Sequence, residues 1–328
     1  MESRPRTFCL IRLGALGDLV LVSSLSRELA TAGHRVVLVT DRRYEVIATS
    51  TPGIERCVLF DRQRHDSLRG LRQLAREVGD VDTVLDLQNK PRTWLLGRQI
   101  SARHLRSLRL RTSWQFLAAV MGRDSILDDR HQTHINHNIL DDVLDSPTPF
   151  TPRLVIERAP LPQVALVPGA AHAAKRWPAG RFGELARAVR ERGLEVTVIA
   201  GPGEEHLVQA VREAAGRELI STLGQGVEAV VEVCRRSALV VGNDSGPAHV
   251  AAALGTPVVT LFGPTSWRRW HPLGPGQVLS LELVCQPCSN HGLEHCPLKH
   301  HRCLQDLDVG QVLAACLEVL ARTRGAPA

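Results

Sequence analysis

The chain has 328 residues, 44% hydrophobic and 23% charged, which is long enough for two cores and reads as globular. No stretch approaches the apolar length of a bilayer-spanning helix, and the run Phe8 to Ile11, broken by Arg12, is too short for a secretory signal; the expectation is a cytoplasmic protein with reduced thiols. The formal charge of +6 admits an acidic partner, but aromatics at 4%, not interleaved with the basic residues, argue against stacking on nucleic acid, and no such partner is expected.

Strand and helix signals then alternate along the chain. Residues 7–12 read as a strand, Leu19 to Ala30 as a helix closed by Gly33, and 35–40 as a second strand. Residues 58–60, a helix from Ser67 to Val78 and a strand over 82–86 continue the pattern. Proline density at 145–152 and 159–162 halts it, which predicts domains 1–155 and 156–328. The alternation restarts with a strand at 164–167, a helix from Phe182 to Arg192, a strand at 195–200 and a helix from Glu204 to Ala215. A strand at 238–242, a helix from Ala248 to Leu254, a strand at 257–262 and a last amphipathic helix from about Val309 to Arg322, read as packing back across the domain junction, complete it. Such βαβ grammar implies two parallel sheets with helices on both faces, whose strand C-terminal loops border one cleft.

Three of those loops carry chemistry. The strand ending at Gly242 runs into Asn-Asp-Ser-Gly-Pro-Ala-His at 243–249, with Ser245 at an N-cap and Pro247 in a first turn. That turn directs backbone N–H groups and a helix dipole at a diphosphate, although an ordinary capped helix has the same pattern. The loop 168–178 holds Gly169 and the adjacent Lys175 and Arg176 before Trp177. Two cations and a glycine turn suit a pyrophosphate; the alternative is a solvated basic loop with a hydrophobic staple at Trp177. With lysine only at 90, 175 and 299, the functional reading is preferred. The loop 13–18 has neither dinucleotide-binding nor Walker A spacing, and Asp18 is read as the N-cap of the helix that follows.

Taken together, Arg12 to Asp18, Lys175 to Pro178, and 243–249 followed by Gly263-Pro-Thr265 resemble the family 9 glycosyltransferases, the ADP-heptose:lipopolysaccharide heptosyltransferases. The resemblance spans both halves in the right order. It implies an α/β GT-B architecture of two Rossmann-like parallel-sheet domains facing a central cleft, with the acceptor on the first domain and the nucleotide sugar on the second. It further implies inverting transfer of a heptose or related sugar from ADP-heptose to the lipopolysaccharide inner core, with no cofactor required for catalysis. By position, Asp18 matches the general base and Lys175 the lysine on the diphosphate, assisted by Arg176 and the Gly169 turn. Asp244 matches an acidic residue on donor hydroxyls, so that it and Lys175 would hold opposite ends of the donor, with Ser245 and Gly246 supplying phosphate donors. His249 is either a donor contact or a packed histidine. Lys90 and Arg92 would meet an anionic glycolipid acceptor at the inner membrane surface, making the protein peripheral there; a solvated loop is the alternative. Two rival functions stay open: a GT-B enzyme using a UDP- or GDP-sugar, and a nucleotide-sugar-binding protein without catalysis.

Cys285, Cys288, Cys296 and Cys303 fall within one loop, 285–303, and read as a structural zinc site, with free thiols or a redox pair as alternatives. Cys9, Cys57, Cys234 and Cys316 read as buried core thiols. His131, His134 and His137 read as non-metal, because no carboxylate or thiol completes a ligand set.

Overall fold

The computed structural model describes residues 4–108, 130–141, 143–144 and 149–324. These form two compact units, one of the described residues up to Val155 and one from Ile156 onward.

The first unit is built on a five-stranded parallel sheet of β1 (Thr7–Ile11), β2 (Arg35–Asp41), β3 (Arg56–Phe60), β4 (Val81–Asp86) and β5 (Ala102–Ser107), in the order β3-β2-β1-β4-β5. The inner strands are apolar runs because both sheet faces are covered. One face carries the Leu68–Val78 and Pro91–Gly97 helices, whose Leu74 and Leu96 share a core cluster with Cys9, Ile11, Val39 and Val84 of the strands. Right-handed crossovers put the Leu16–Thr31 helix, between β1 and β2, on the other face. Each fully buried aliphatic side chain there contributes roughly 1.5–3 kcal/mol.

The second unit holds a six-stranded parallel sheet of β6 (Leu161–Val167), β7 (Glu195–Val198), β8 (Ile220–Ser221), β9 (Ser237–Asn243), β10 (Val258–Leu261) and β11 (Gly276–Leu279), ordered β11-β10-β9-β6-β7-β8. At Gly242 β9 lies close against β6: a Cβ there would fall 2.5 Å from Val167 Cβ. The last helix, Val309–Arg324, packs on this unit's core through Val312, Ala315, Cys316 and Val319.

Both sheets reverse their strand order beside their first strand, between β1 and β4 and between β6 and β9. At such a switch point the loops leaving the two neighbouring strands diverge and open a crevice at the strand C-termini. The motif loops of the sequence leave these four strands.

Candidate active site

In the first unit the switch point is closed by Arg12, the residue after β1. Its guanidinium donates to the Leu87 carbonyl after β4 and pairs with the Asp18 carboxylate. The helix begins at Leu16 with Ala15 as N-cap, so Asp18 lies in the first turn and is not the cap. Its carboxylate is drawn to Arg12 instead and remains 28% exposed. Tyr44, the chain's one tyrosine, stands over Gly14, with its hydroxyl 3.8 Å from where a Cβ would fall. Burial raises the Tyr44 hydroxyl above the ordinary phenol range, and the Asp18 carboxylate adds to that. Sequence reasoning missed Tyr44, which no motif marks.

The loop after β4 is organised by Asp86, which is fully buried and accepts from Gln88 N, Asn89 N and Thr93 Oγ1 at 3.0, 2.9 and 3.0 Å. Lys90 is the exposed N-cap of the Pro91–Gly97 helix. Arg92 pairs with Asp66 and lies 5.5 Å from the Phe60 ring centroid. The structure thus gives Arg92 a structural partner and leaves Lys90 at the loop end.

In the second unit Lys175 Nζ is 2.7 Å from Asp244 Oδ2, and the same oxygen accepts Thr265 Oγ1 at 2.7 Å. These groups are side by side, which corrects the expectation that Lys175 and Asp244 would sit at opposite ends of a ligand. Asn243, fully buried at the end of β9, fixes the arrangement: its amide accepts Trp177 N at 2.9 Å and donates to Pro168 O at 2.8 Å. Trp177 is not a surface staple. It is buried, with Nε1 donating to Leu307 O at 2.8 Å and its ring edge-on to Phe182 at 4.9 Å. Arg176 donates twice to Ala170 O, at 3.0 and 2.9 Å, and so braces the loop.

The Gly246–Ala253 helix starts at this cluster with Ser245 at the N-cap position, but the Ser245 hydroxyl donates to Asn243 O at 3.1 Å and does not cap. First-turn N–H groups have no intrahelical partner, so an anion placed there meets them directly. His249 is buried at the start of that helix. Glu204, beyond β7, was also missed: its carboxylate accepts Gly201 N at 2.8 Å and occupies the space beside Gly169, where a Cβ would lie 2.0 Å from Oε1. An acidic group one strand beyond a glycine turn is the ribose-binding pattern of α/β nucleotide sites, and it is the signal that would have found it.

The cysteine loop folds against the Lys175 loop. Leu293 O accepts Ala174 N at 3.1 Å, His301 Nε2 bonds Ala174 O at 2.6 Å, and a Cβ on Gly292 would lie 2.6 Å from Lys175 Cδ. The expected zinc site is not supported: among the described residues no group of three or more His, Cys, Asp or Glu side chains is arranged to hold a metal ion. The loop is closed by protein contacts instead, including Gln286 Nε2 to Gly263 O at 2.6 Å and Gly292 N to Ser289 Oγ at 2.9 Å. Cys303 packs into the core beside Gly263, and burial pushes its thiol up to about 11. Cys9, Cys234 and Cys316 are buried as expected, whereas Cys57 is only partly so.

Residues 71–299 match the family model described as glycosyltransferase family 9 (heptosyltransferase). The chain is 30% identical over 157 residues to lipooligosaccharide heptosyltransferase 2 of Campylobacter jejuni subsp. jejuni serotype O:2, a match covering 46% of this chain and 48%, about half, of that protein. It is 26% identical to lipopolysaccharide heptosyltransferase 1 of Pseudomonas aeruginosa, covering 93% of this chain and 92% of that one. The solved ADP-heptose lipopolysaccharide heptosyltransferase II of E. coli shares the fold at a TM-score of 0.75 and 18% identity, covering 97% of this chain and 100% of that one. With two parallel-sheet α/β units of the GT-B class and a family match over most of its length, the chain belongs to glycosyltransferase family 9.

Proposed function

We propose that the chain transfers a heptose from ADP-heptose to the inner core of lipopolysaccharide, with inversion at the anomeric carbon. The observation that carries this reading is the Lys175, Asp244 and Thr265 cluster at the second unit's switch point, beside a helix N-terminus. A lysine ammonium has three donors, so Lys175 can keep Asp244 and still reach a diphosphate, while Asp244 Oδ1 accepts a sugar hydroxyl. Glu204 suits the ribose diol of the nucleotide.

In the first unit Asp18 acts as general base. Arg12 holds the carboxylate in place and tethers it to the loop after β4. The carboxylate takes the proton of the acceptor hydroxyl as that oxygen attacks the anomeric carbon from the face opposite the departing ADP. Lys90 meets the anionic acceptor, and Lys175 with the helix N-terminus stabilises the charge left on the diphosphate. The N-terminal unit is thus the acceptor domain and the C-terminal unit the donor domain.

The test is ADP release from ADP-heptose on addition of a phosphorylated inner-core acceptor, with UDP- and GDP-sugars in parallel. Turnover that needs both ADP-heptose and acceptor is expected. Equal turnover of a UDP- or GDP-sugar, or tight ADP-heptose binding without any transfer, would replace this reading.

A further inference from the structure

One flank of the first unit combines cations with exposed apolar side chains. From Lys90 to Leu108 the chain carries Lys90, Arg92, Arg98, Arg103 and Arg106 and no Asp or Glu. The Pro91–Gly97 helix and its C-cap leave Pro91, Trp94 and Arg98 exposed, a spacing that forms one stripe along the helix. The Arg98 guanidinium lies 4.3 Å from the Trp94 ring centroid, and Trp94 is 44% exposed. Next to this helix runs β5, at the edge of the sheet, with Leu105 partly exposed where it packs on Gly97. Arg103, two residues away on the same strand face, also lines a cavity of about 790 Å³ shared with Arg4, Arg6 and Arg35. The carboxylate there, Asp82, is committed to Thr7 N at 2.8 Å.

Cations alone would serve any polyanion. An exposed indole stacked by arginine and flanked by a leucine is amphipathic, and tryptophan settles at the headgroup level of bilayers while arginine stems reach lipid phosphates. We propose that this flank of the Pro91–Gly97 helix and β5 docks on an anionic lipid bilayer, Trp94 and Leu105 entering the headgroup layer and Arg98 and Arg103 facing lipid phosphates. This rests on the reading of the acceptor as a membrane-anchored glycolipid, since Lys90 stands at the catalytic end of the same helix.

The experiment is co-sedimentation of the full chain with phosphatidylcholine vesicles, with and without phosphatidylglycerol. Binding is expected only to the anionic vesicles and should be reversed by salt. Arg98→Glu with Arg103→Glu should weaken it roughly tenfold or more, the scale of reversing two lipid-facing charges. Trp94→Ala should weaken it and abolish any lipid-induced blue shift of emission. Arg187→Glu, on an exposed position of the second unit, should bind as wild type. Wild-type binding by the Arg98 and Arg103 double variant, equal binding to neutral vesicles, or preference for DNA over anionic vesicles would overturn the proposal. Turnover on a lipid-free, water-soluble acceptor separates the two readings: the double variant should match wild type there. A protein that binds anionic vesicles as described but transfers no sugar leaves the docking surface standing and removes the catalytic reading.

Discussion

Lys175 Nζ and Asp244 Oδ2 form a 2.7 Å ion pair whose side chains are only 12% and 7% exposed. Removing one partner strands a buried charge, so Lys175→Ala should cost about 3 kcal/mol of stability as well as weaken ADP binding. The double variant Lys175→Met with Asp244→Asn separates the two effects. It should recover most of the stability in urea unfolding while calorimetry still finds ADP binding weakened. Recovery of ADP affinity in the double variant would mean that Lys175 acts only as a counter-ion for Asp244.

Asp18 sits in the first helical turn, paired with Arg12 and partly exposed. Asp18→Asn should therefore change stability by no more than about 1 kcal/mol, the range of exposed pairs. If the carboxylate is the base, kcat should fall by roughly two to four orders of magnitude with donor affinity little changed. A variant that unfolds easily but turns over normally would make Asp18 structural.

Tyr44→Phe removes only the hydroxyl that stands over the Gly14 turn. If the acceptor hydroxyl is delivered to Asp18, this half-buried oxygen, which feels the Asp18 charge, would hydrogen-bond the acceptor. The variant should raise the acceptor KM several-fold, on the order of one lost hydrogen bond, while the donor KM stays constant. An unchanged acceptor KM would remove Tyr44 from the site.

Much of this architecture is legible in the sequence because apolar strands and amphipathic helices alternate with clear breaks. The strands that escape are those without the apolar run. β5 mixes Arg103, His104 and Arg106 with one leucine because it is an edge, and β8 has only two residues. The motif loops were found as sequence, yet their geometry was not. Pairing of Lys175 with Asp244 joins residues from loops after different strands, and the support that Gly292 and His301 lend to the Lys175 loop spans still greater sequence distance. No periodicity encodes such contacts. The zinc expectation is not supported for a related reason: cysteine spacing alone does not fix ligand geometry, and among the described residues no three possible ligands are arranged to hold a metal ion.

Gly292 connects the cysteine loop to the Lys175 and Asp244 cluster. Its φ of +108° is one that side chains rarely adopt, and an added Cβ would press on Lys175 Cδ and on His172 at 2.6 and 2.8 Å. Gly292→Ala should accordingly move Lys175, and ADP binding should weaken several-fold. The same substitution at Gly193, whose Cβ meets nothing within 4 Å at a φ of +78°, carries backbone strain alone and should leave ADP affinity unchanged. Equal losses of affinity for both variants would show that the loop does not position Lys175.

His34 and His65, 6% and 1% exposed, each accept a backbone N–H through Nδ1, from Arg6 N at 3.4 Å and from Asp61 N at 2.9 Å. An accepting nitrogen cannot carry a proton, and burial, the leading cause in both, lowers both groups below the ordinary histidine value of 6.5. In the unfolded chain they titrate near that ordinary value, so below it the unfolded state binds more protons than the fold. Their contribution is thus fully present above about pH 6.5 and is lost as the pH falls from there towards the lower folded values. Urea unfolding at pH 7.5 and 5.5 should show a loss of stability, with no matching loss between pH 7.5 and 8.5. His65→Gln, which keeps an acceptor without a titrating group, should flatten part of that slope. A slope in His65→Gln as steep as in the wild type would place the acid sensitivity elsewhere.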